Sequence, residues 1–174
     1  ITKIKFFGIT GTNGKTSVAY LCYQLYEKTG NPSAYMGTLG FISDEYQSIP
    51  KETTPDIFSL FKHLASLNKT EGLGLFLELS SHGLHQERLN MLDYEKVCIA
   101  NISSDHLDYH QTQEDYERSK LSILDLRQRS IPLVNYDVLE VMKKHKIMVY
   151  EMQTFSDMQE KGDFLFRILP GEID

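Results

Sequence analysis

The sequence predicts an α/β fold with a mostly parallel central sheet flanked by helices. Runs rich in β-forming residues alternate along the chain with segments of helical period. Two of these runs, LGLFLEL (73–79) and KVCIANI (96–102), are almost continuously apolar, as expected of strands that are buried on both faces. Polar residues follow several of the predicted strands, at the edge where α/β sheets bind ligands.

The first part of the chain is predicted to form strand, helix, strand and hairpin. KIKFFGI (3–9) and AYMGTL (34–39) are β-rich, and a hairpin or loop is expected through residues 41–51. Between the two strands, helical period begins after Lys15, and Gly30 is typical of a helix end. The apolar face predicted for this helix consists of Val18, Leu21, Cys22 and Leu25.

Further helices and strands follow in alternation. Thr54-Pro55 predicts a helix start, with Thr as the cap and Pro in the first turn. Thr112 and Asp115 resemble a capping box that opens a helix to about Gln128. The second helix is expected to bury Ile57, Leu60, Phe61 and Leu64. The remaining predicted elements are strands IPLVN (131–135), KIMVY (146–150) and DFLFRIL (163–169), and a short helix at 137–144.

Composition narrows the class of protein. The chain has 174 residues, which suits one domain, and a formal net charge of −6, which disfavours nucleic acid or an anionic membrane as the main partner. No apolar run approaches the roughly 20 residues of a membrane span, and the first residues do not predict a signal peptide. Cys22 and Cys98 fit small buried thiols in a reducing compartment, so a cytoplasmic protein is expected. Because the chain opens at Ile1 almost directly into a strand, we expect a piece of a longer protein.

A glycine-rich stretch, GITGTNGKTS (8–17), lies between the first strand and the first helix. The usual phosphate-binding loop, G-x-x-x-x-G-K-[ST], would need glycine at position 9, which is Ile9. The stretch is therefore either a nucleotide site with its own spacing or a turn that happens to end in Lys-Thr. Its context, a strand before and a helix after, favours a P-loop NTPase-like site in which Lys15 reaches the β- and γ-phosphates and Thr16 helps to hold Mg²⁺.

Glu78 is the next candidate, since it places a carboxylate at the tip of a buried strand. A charge there is costly unless it is paired or binds a cation. Other P-loop enzymes supply an acidic residue to Mg²⁺ from such a position. The alternative is a Glu that pairs with a nearby Lys or caps the next helix.

The segment SSDHLDYH (103–110) contains two histidines four positions apart, His106 and His110. A zinc site is poorly supported, because no H-E-x-x-H helix or cysteine cluster accompanies them. One histidine could instead serve a Mg²⁺ site, although oxygen ligands are the norm for that ion.

Lys120 shares the apolar face of its predicted helix with Tyr116, Ile123 and Leu124. A lysine in that position usually extends to water. If it does not, it needs an anionic partner or a modification that removes its positive charge.

Together these motifs resemble the Mur ligases, the ATP-dependent enzymes that build the peptide of bacterial peptidoglycan. The family loop G-T-N-G-K-T is present at 11–16, so the unusual glycine spacing is a family variant. TTPD (53–56), ELSSHGLHQERL (78–89) and NISSDHLDYHQTQEDYERSK (101–120) most resemble the MurE branch. The likeness extends from residue 4 to about 136. Folate polyglutamyl ligases share the superfamily, but they usually have Gly where this chain has Thr16, and they lack the Ser-Ser-His-Gly-Leu segment.

The resemblance implies an ADP-forming ligase. The γ-phosphoryl group of ATP would pass to the D-Glu carboxylate of UDP-N-acetylmuramoyl-L-Ala-D-Glu, and the amine of a diamino acid would then displace phosphate to form an amide. Residues 1–174 would be the single central ATPase domain, with the uridine-nucleotide and amino-acid domains lying outside it, so the chain alone is expected not to complete ligation. A non-catalytic nucleotide-binding module is the alternative from another functional class.

The resemblance also implies roles for individual residues. Two Mg²⁺ ions are expected, with Thr16, Glu78 and His106 as ligands, and Lys120 would be a carbamate that helps to organise the second ion. Lys15, Glu78, His106 and Lys120 would form the catalytic set. ATP would contact Gly11, Thr12, Asn13, Gly14, Lys15, Thr16, Ser17 and, on the adenine side, Asn135; the UDP-muramyl-dipeptide would contact Thr53, Thr54, Ser80, Gln86 and Arg88. Gln111 departs from the family, which frequently has Gly there.

Overall fold

A single β-sheet forms the centre of the fold. The computed structural model describes residues 4–49, 51–68, 71–149 and 151–156, together with the backbone of 164–165. Within these residues nine strands form a single sheet in the order β4-β3-β2-β5-β1-β6-β7-β8-β9. The strands are β1 Lys5–Thr10, β2 Ser33–Gly37, β3 Gly40–Ser43, β4 Gln47–Ser48, β5 Gly74–Glu78, β6 Tyr94–Ile99, β7 Leu133–Asn135, β8 Gln153–Ser156 and β9 Phe164–Leu165.

The predicted fold class is confirmed. β1 lies between β5 and β6 and is parallel to both. The pairings of β2 with β5, β6 with β7, β7 with β8 and β8 with β9 are also parallel. The antiparallel pairings are β2 with β3 and β3 with β4, and the second of these forms the hairpin predicted near 41–51. Because β1, β2, β5 and β6 run in one direction, their carboxyl ends meet at one edge of the sheet.

The helices lie between the strands, as βαβ alternation requires. They are α1 Lys15–Lys28, α2 Ile57–Leu64, α3 Ser81–His85, α4 Leu107–His110, α5 Gln113–Leu121 and α6 Val138–Lys144. None of the helices in the described part of the chain is long and apolar enough to cross a bilayer.

The apolar face predicted for α1 is partly wrong. Leu21 and Leu25 are 55% and 62% exposed, whereas Ala19 and Tyr23 are buried. The reason is an aromatic layer: the Tyr26 ring packs on Phe7 and Phe76, and Gly74 of β5 leaves room for it, since a Cβ there would lie 2.6 Å from Tyr26 Cε1. Ala19 and Tyr23 therefore form the buried face, Tyr20 and Tyr26 pack beside them, and the two leucines turn outward.

The predicted start of α2 is also corrected. The cap is Asp56, whose carboxylate accepts hydrogen bonds from the Phe58 and Ser59 amides, and the helix begins at Ile57. Leu60 and Leu64 are buried as predicted, but Phe61 is 50% exposed. Thr54, predicted as the cap, instead donates its hydroxyl hydrogen to the Glu78 carbonyl oxygen at 2.9 Å.

Helix α5 is shorter than predicted. Thr112 caps it as expected, with its hydroxyl oxygen accepting from the Asp115 amide at 3.1 Å. The α-helix ends at Leu121, however, and a 3₁₀ turn follows at Ser122–Asp125. This turn keeps Ile123 buried while directing the chain towards β7. Because apolar residues keep a helical spacing through α5 and the 3₁₀ turn, the sequence pattern does not show where the α-helix ends.

The strands predicted near the C-terminus are only partly confirmed. IPLVN contains β7 and the short helix at 137–144 matches α6, but the strand predicted at 146–150 is wrong for its described residues. Ile147 and Val149 pack against the core in irregular conformation, and the strand comes later, as β8. Most of DFLFRIL lies outside the described residues, which include only the β9 backbone.

A buried charged cluster joins α5 to α6. Glu117 accepts hydrogen bonds from Lys144 Nζ at 2.7 Å, from the His145 ring at 2.5 Å and from Gln113 Nε2 at 3.1 Å. Desolvation raises the pKa of the Glu117 carboxyl, but these donors outweigh it and the pKa is lowered. The cluster fixes the position of the helix that carries Lys120.

Substitutions on α2 test the corrected helical phase. We expect Leu60→Ala to lower the free energy of unfolding by about 2–5 kcal/mol, because it leaves a cavity in the core. Phe61→Ala should lower it by only about 1 kcal/mol, since half of that side chain is already in water. Urea denaturation of both variants distinguishes the two, and equal losses would mean that the phase predicted from the sequence is the right one.

Candidate functional site

Most of the residues singled out in the sequence lie around one cleft. It has a volume of about 610 Å³ and opens at the carboxyl edge formed by β1, β2 and β5. The predicted site residues that line it are Thr12, Asn13, Gly14, Lys15, Thr16, Ser17, Thr53, Thr54, Glu78, Ser80, Arg88, His106 and Lys120. Gly11, Gln86 and Asn135 are not among the lining residues.

The glycine-rich loop is held from the β6 side. The Asn13 amide donates to Asn101 Oδ1 at 2.9 Å, and Asn101 Nδ2 donates to the Asn13 carbonyl at 3.0 Å. Gly14 adopts a left-handed conformation with φ of 77°, which permits the sharp entry into α1. No side chain caps α1, so its first amides remain available to an anion.

Lys15 folds back onto the loop. Its Nζ donates to the carbonyl oxygens of Gly11 at 2.8 Å and Thr12 at 3.0 Å. Burial lowers the pKa of Lys15, and the nearby carboxylates of Glu78 and Asp105 act in the opposite direction. An incoming anion would offer this ammonium a charged partner in place of two backbone carbonyls.

Glu78 is fully buried and accepts four hydrogen bonds. Oε1 accepts from the Thr38 amide at 3.0 Å and from the Tyr35 hydroxyl. Oε2 accepts from the hydroxyls of Thr16 at 2.9 Å and Thr38 at 3.2 Å. No cationic side chain of the described residues forms an ion pair with it, and Ser80 rather than Glu78 caps α3. Neither structural alternative considered for Glu78 is therefore observed.

This environment fits a divalent cation. A buried carboxylate that forms no ion pair with the described residues favours a bound positive charge. Mg²⁺ prefers oxygen ligands, keeps several waters and commonly uses one or two carboxylates, so Glu78 with the Thr16 hydroxyl is a suitable start. The His, Cys, Asp and Glu side chains in the described parts of the chain form no cluster of three that could hold a metal.

The His106 segment faces the cleft from the β6 side. His106 itself is a left-handed residue with φ of 52°, and its ring lies edge-on to the His82 ring at 5.3 Å. Gln111 ends α4 with φ of 61°, a conformation that glycine adopts more readily than other residues. His110 is buried, and its Nε2 has no hydrogen-bond partner among the described residues.

Lys120 does not extend to water. Only 1% of the residue is exposed, its Nζ donates to the Gly11 carbonyl at 2.9 Å, and it lies 5.0 Å from the centre of the Tyr116 ring. Burial lowers the pKa of Lys120 to about 7, the Lys15 ammonium acts in the same direction and Asp105 opposes both. The interpretation as a solvent-reaching lysine is wrong, and a substantial fraction of neutral amine is expected near neutral pH.

Arg88 lines another part of the cleft. Its guanidinium donates to Gln86 Oε1 from Nε at 2.9 Å, to the Thr54 carbonyl at 2.7 Å and to the Glu52 carboxylate. Gln86 in turn donates to the Tyr109 hydroxyl at 3.0 Å. Gln86 therefore orients Arg88 from outside the cleft instead of lining it.

Asn135 lies apart from these groups. It ends β7, and its Oδ1 accepts the Asp137 amide at 2.9 Å, which is ordinary turn chemistry. The structure thus brings the predicted phosphate, cation and acidic-substrate residues together, with Asn135 at a different strand end.

Several residues of this site escaped the sequence analysis. Tyr35 and Thr38 both bond Glu78, Glu52 pairs with Arg88, and the His82 and Tyr109 rings contact each other in a tilted arrangement with centroids 3.9 Å apart. For Thr38 the available signal was its position directly after Gly37, which ends β2, since that strand end lies beside the Glu78 strand end.

The buried lysine predicts a pH dependence of stability. Between about pH 7 and the ordinary lysine pKa of 10.5, the unfolded chain binds more protons at Lys120 than the folded chain does. The free energy of unfolding should therefore gain a positive slope over this range, of at most about 1.4 kcal/mol per pH unit. Lys120→Met, which keeps the apolar stem, should remove that contribution. Denaturant titrations at several pH values in CO₂-free, nucleotide-free buffer measure both proteins, and identical slopes would refute the assignment.

Comparisons with known proteins agree on one family. Residues 9–168 match the family model of the Mur ligase middle domain. The UDP-N-acetylmuramoyl-L-alanyl-D-glutamate--2,6-diaminopimelate ligase of Phocaeicola vulgatus is 34% identical over 167 residues, covering 92% of this chain and 34% of the relative. The corresponding L-lysine ligase of Staphylococcus haemolyticus is 36% identical over 132 residues, covering 76% and 27%.

A solved structure gives the same result. The structure of a UDP-N-acetylmuramoyl-L-alanyl-D-glutamate--2,6-diaminopimelate ligase superposes with a TM-score of 0.78 at 30% identity, covering 94% of this chain and 34% of the other. The chain spans about a third of the length of these relatives. Because a middle-domain model matches nearly the whole sequence and the relatives agree with it, this chain belongs to the Mur ligase family.

Proposed function

We propose that this chain is the ATP-handling central domain of a MurE-type ligase. The enzyme adds a diamino acid to UDP-N-acetylmuramoyl-L-Ala-D-Glu and releases ADP and phosphate. The names of its relatives support the substrate class, since both describe ligases that act on this UDP-muramyl-dipeptide. The observation that carries the proposal is the buried Glu78 carboxylate bonded to Thr16, the last residue of the phosphate-binding loop.

The first half-reaction follows from the loop. The free amides at the start of α1 and the Lys15 ammonium bind the ATP phosphates, for which Lys15 leaves the carbonyls of Gly11 and Thr12. A D-Glu carboxylate oxygen attacks the γ-phosphorus and the bond to the β-phosphate oxygen breaks, giving an acyl phosphate and ADP. Thr16, Glu78 and His106 would hold Mg²⁺, which would supply neutralisation of phosphate charge. The protein contributes positioning and electrostatics and forms no covalent intermediate.

The second half-reaction forms the amide. The amine of the diamino acid attacks the acyl carbon, phosphate leaves with the bonding electrons, and the amine loses a proton. This step needs the dipeptide to be held in place. Arg88 offers a guanidinium to an anionic group of the substrate, and Thr53, Thr54 and Ser80 supply hydroxyls on the same wall of the cleft.

Lys120 has a separate role in this proposal. Its buried amine is readily deprotonated, as attack on CO₂ requires. The ammonium first loses one proton, and attack of the neutral amine nitrogen on the CO₂ carbon then releases a second, so a cation becomes an anion. That anion would face the phosphate-binding loop, where Lys120 now bonds the Gly11 carbonyl, and would help to organise a second Mg²⁺.

The rest of the enzyme lies outside this chain in the proposal. An N-terminal domain would hold the uridine nucleotide and a C-terminal domain the diamino acid, so the choice between diaminopimelate and lysine is made there. A cytoplasmic location follows from the use of ATP. Folate polyglutamyl ligation is disfavoured by Thr16 and by the Ser80–Leu84 segment. A non-catalytic module would have no evident use for Glu78 and Lys120 beside the loop.

ATP turnover by the full-length enzyme tests the proposal. We expect ADP release only when the UDP-muramyl-dipeptide and the diamino acid are both present, and none from the 174-residue chain alone. Lys15→Ala should lower turnover by at least ~100-fold, because it removes a charge from the transferring phosphoryl group. Lys28→Ala, at the exposed end of the same helix, is the control and should be neutral. Nucleotide binding without substrate-dependent turnover would favour the binding module, and ligation by the isolated chain would contradict the domain assignment.

A further inference from the structure

Tyr35 has a fixed orientation beside Glu78. It lies on β2, is fully buried, and packs its ring edge-on against Tyr20 with centroids 5.6 Å apart. Its hydroxyl oxygen accepts the Leu39 amide at 3.3 Å, and its hydroxyl hydrogen is donated to Glu78 Oε1. The donor to the carboxylate is therefore set by the packing of the ring and by the backbone of the turn after β2.

The two oxygens of Glu78 consequently have different surroundings. Oε1 receives two donors that the surrounding structure holds in place: the Thr38 backbone amide and the hydroxyl of Tyr35, whose ring is packed and whose oxygen accepts the Leu39 amide. Oε2 receives only the hydroxyls of Thr16 and Thr38, which can rotate and accept as well as donate. Because each carboxylate oxygen has about two lone-pair sites, Oε1 is saturated while Oε2 can be released to another partner.

Gly37 closes the Oε1 side. A Cβ at this position would lie 2.2 Å from Glu78 Oε1 and 2.5 Å from the Tyr35 hydroxyl oxygen. Contacts that short do not occur between real atoms, so only glycine allows the β2 backbone to approach the carboxylate so closely. The β2 backbone at Gly37 and the Tyr35 phenol group together block access to Oε1.

We propose that Tyr35 is a positioning residue that makes Glu78 a one-oxygen ligand and thereby favours Mg²⁺ over Ca²⁺. This inference rests on the function proposed above. Ca²⁺ takes six to eight oxygens and often binds both oxygens of a carboxylate, whereas Mg²⁺ requires a near-octahedral arrangement and is satisfied by single carboxylate oxygens and water. A carboxylate with one oxygen blocked removes the bidentate mode that Ca²⁺ exploits.

Tyr35→Phe in the full-length enzyme is the direct test. It keeps the ring and removes the donor, so Oε1 becomes available to a cation. Tyr94→Phe is a matched control, since Tyr94 is equally buried and donates its hydroxyl to the Leu89 carbonyl at 3.1 Å, away from the cleft. Titration calorimetry with a non-hydrolysable ATP analogue gives the Mg²⁺ and Ca²⁺ affinities of each protein, and thermal unfolding reports stability.

We expect Tyr35→Phe to weaken Mg²⁺ binding by about 10-fold or more and to reduce the preference for Mg²⁺ over Ca²⁺. Tyr94→Phe should leave both quantities unchanged, even where its loss of thermal stability is similar. Gly37→Ala is a second variant, whose methyl group should displace the same carboxylate oxygen and likewise reduce the preference.

Other outcomes separate the two hypotheses. If the wild-type enzyme binds metal and nucleotide but Tyr35→Phe and Gly37→Ala keep its ion preference, the role of Tyr35 is refuted and the proposed function stands. If the wild-type enzyme binds no metal with nucleotide, the proposed function fails and this inference fails with it. If Tyr35→Phe does not fold, the result with Gly37→Ala decides.

Discussion

The rest of the site depends on one buried carboxylate. Glu78 lies at the end of β5, fully shielded from water, and it is held by hydroxyl and amide donors without an ion pair among the described residues. Burial of an unpaired charge disfavours the folded state, and four donors offset that cost only partly. The arrangement is therefore better suited to a state in which a cation is bound than to the empty cleft.

Two closely spaced lysines impose a second constraint on the site. Lys15 and Lys120 both donate to the Gly11 carbonyl, at 2.8 and 2.9 Å, so two ammonium groups share one acceptor beneath the glycine-rich loop. Their mutual repulsion helps to lower the pKa of Lys120. A bound Mg²⁺ would neutralise the buried carboxylate, and a triphosphate would neutralise the two neighbouring lysines. The proposed ligands therefore complement the charges that the fold places in the cleft.

Much of this was predictable because it is local in sequence. The buried strands are continuous apolar runs, and the loop, the Glu78 tip and the His106 segment follow strands whose direction fixes where they meet. The errors came from tertiary packing. Gly74 and its aromatic neighbours decided which face of α1 is buried, and Asp56 displaced Thr54 as a cap because Thr54 bonds β5. Tyr35 escaped notice because its partner is 43 positions away.

Glu78→Gln gives the most direct measurement of the central claim. The amide can accept from Tyr35 and Thr38 and donate to the Thr16 hydroxyl, so the empty protein should keep its free energy of unfolding to within about 1 kcal/mol or gain stability. Mg²⁺-dependent nucleotide binding should be lost, whereas Glu71→Gln, an exposed change just before β5, should keep it. Undiminished Mg²⁺-dependent binding by Glu78→Gln, or strong destabilisation of the empty protein, would contradict the account.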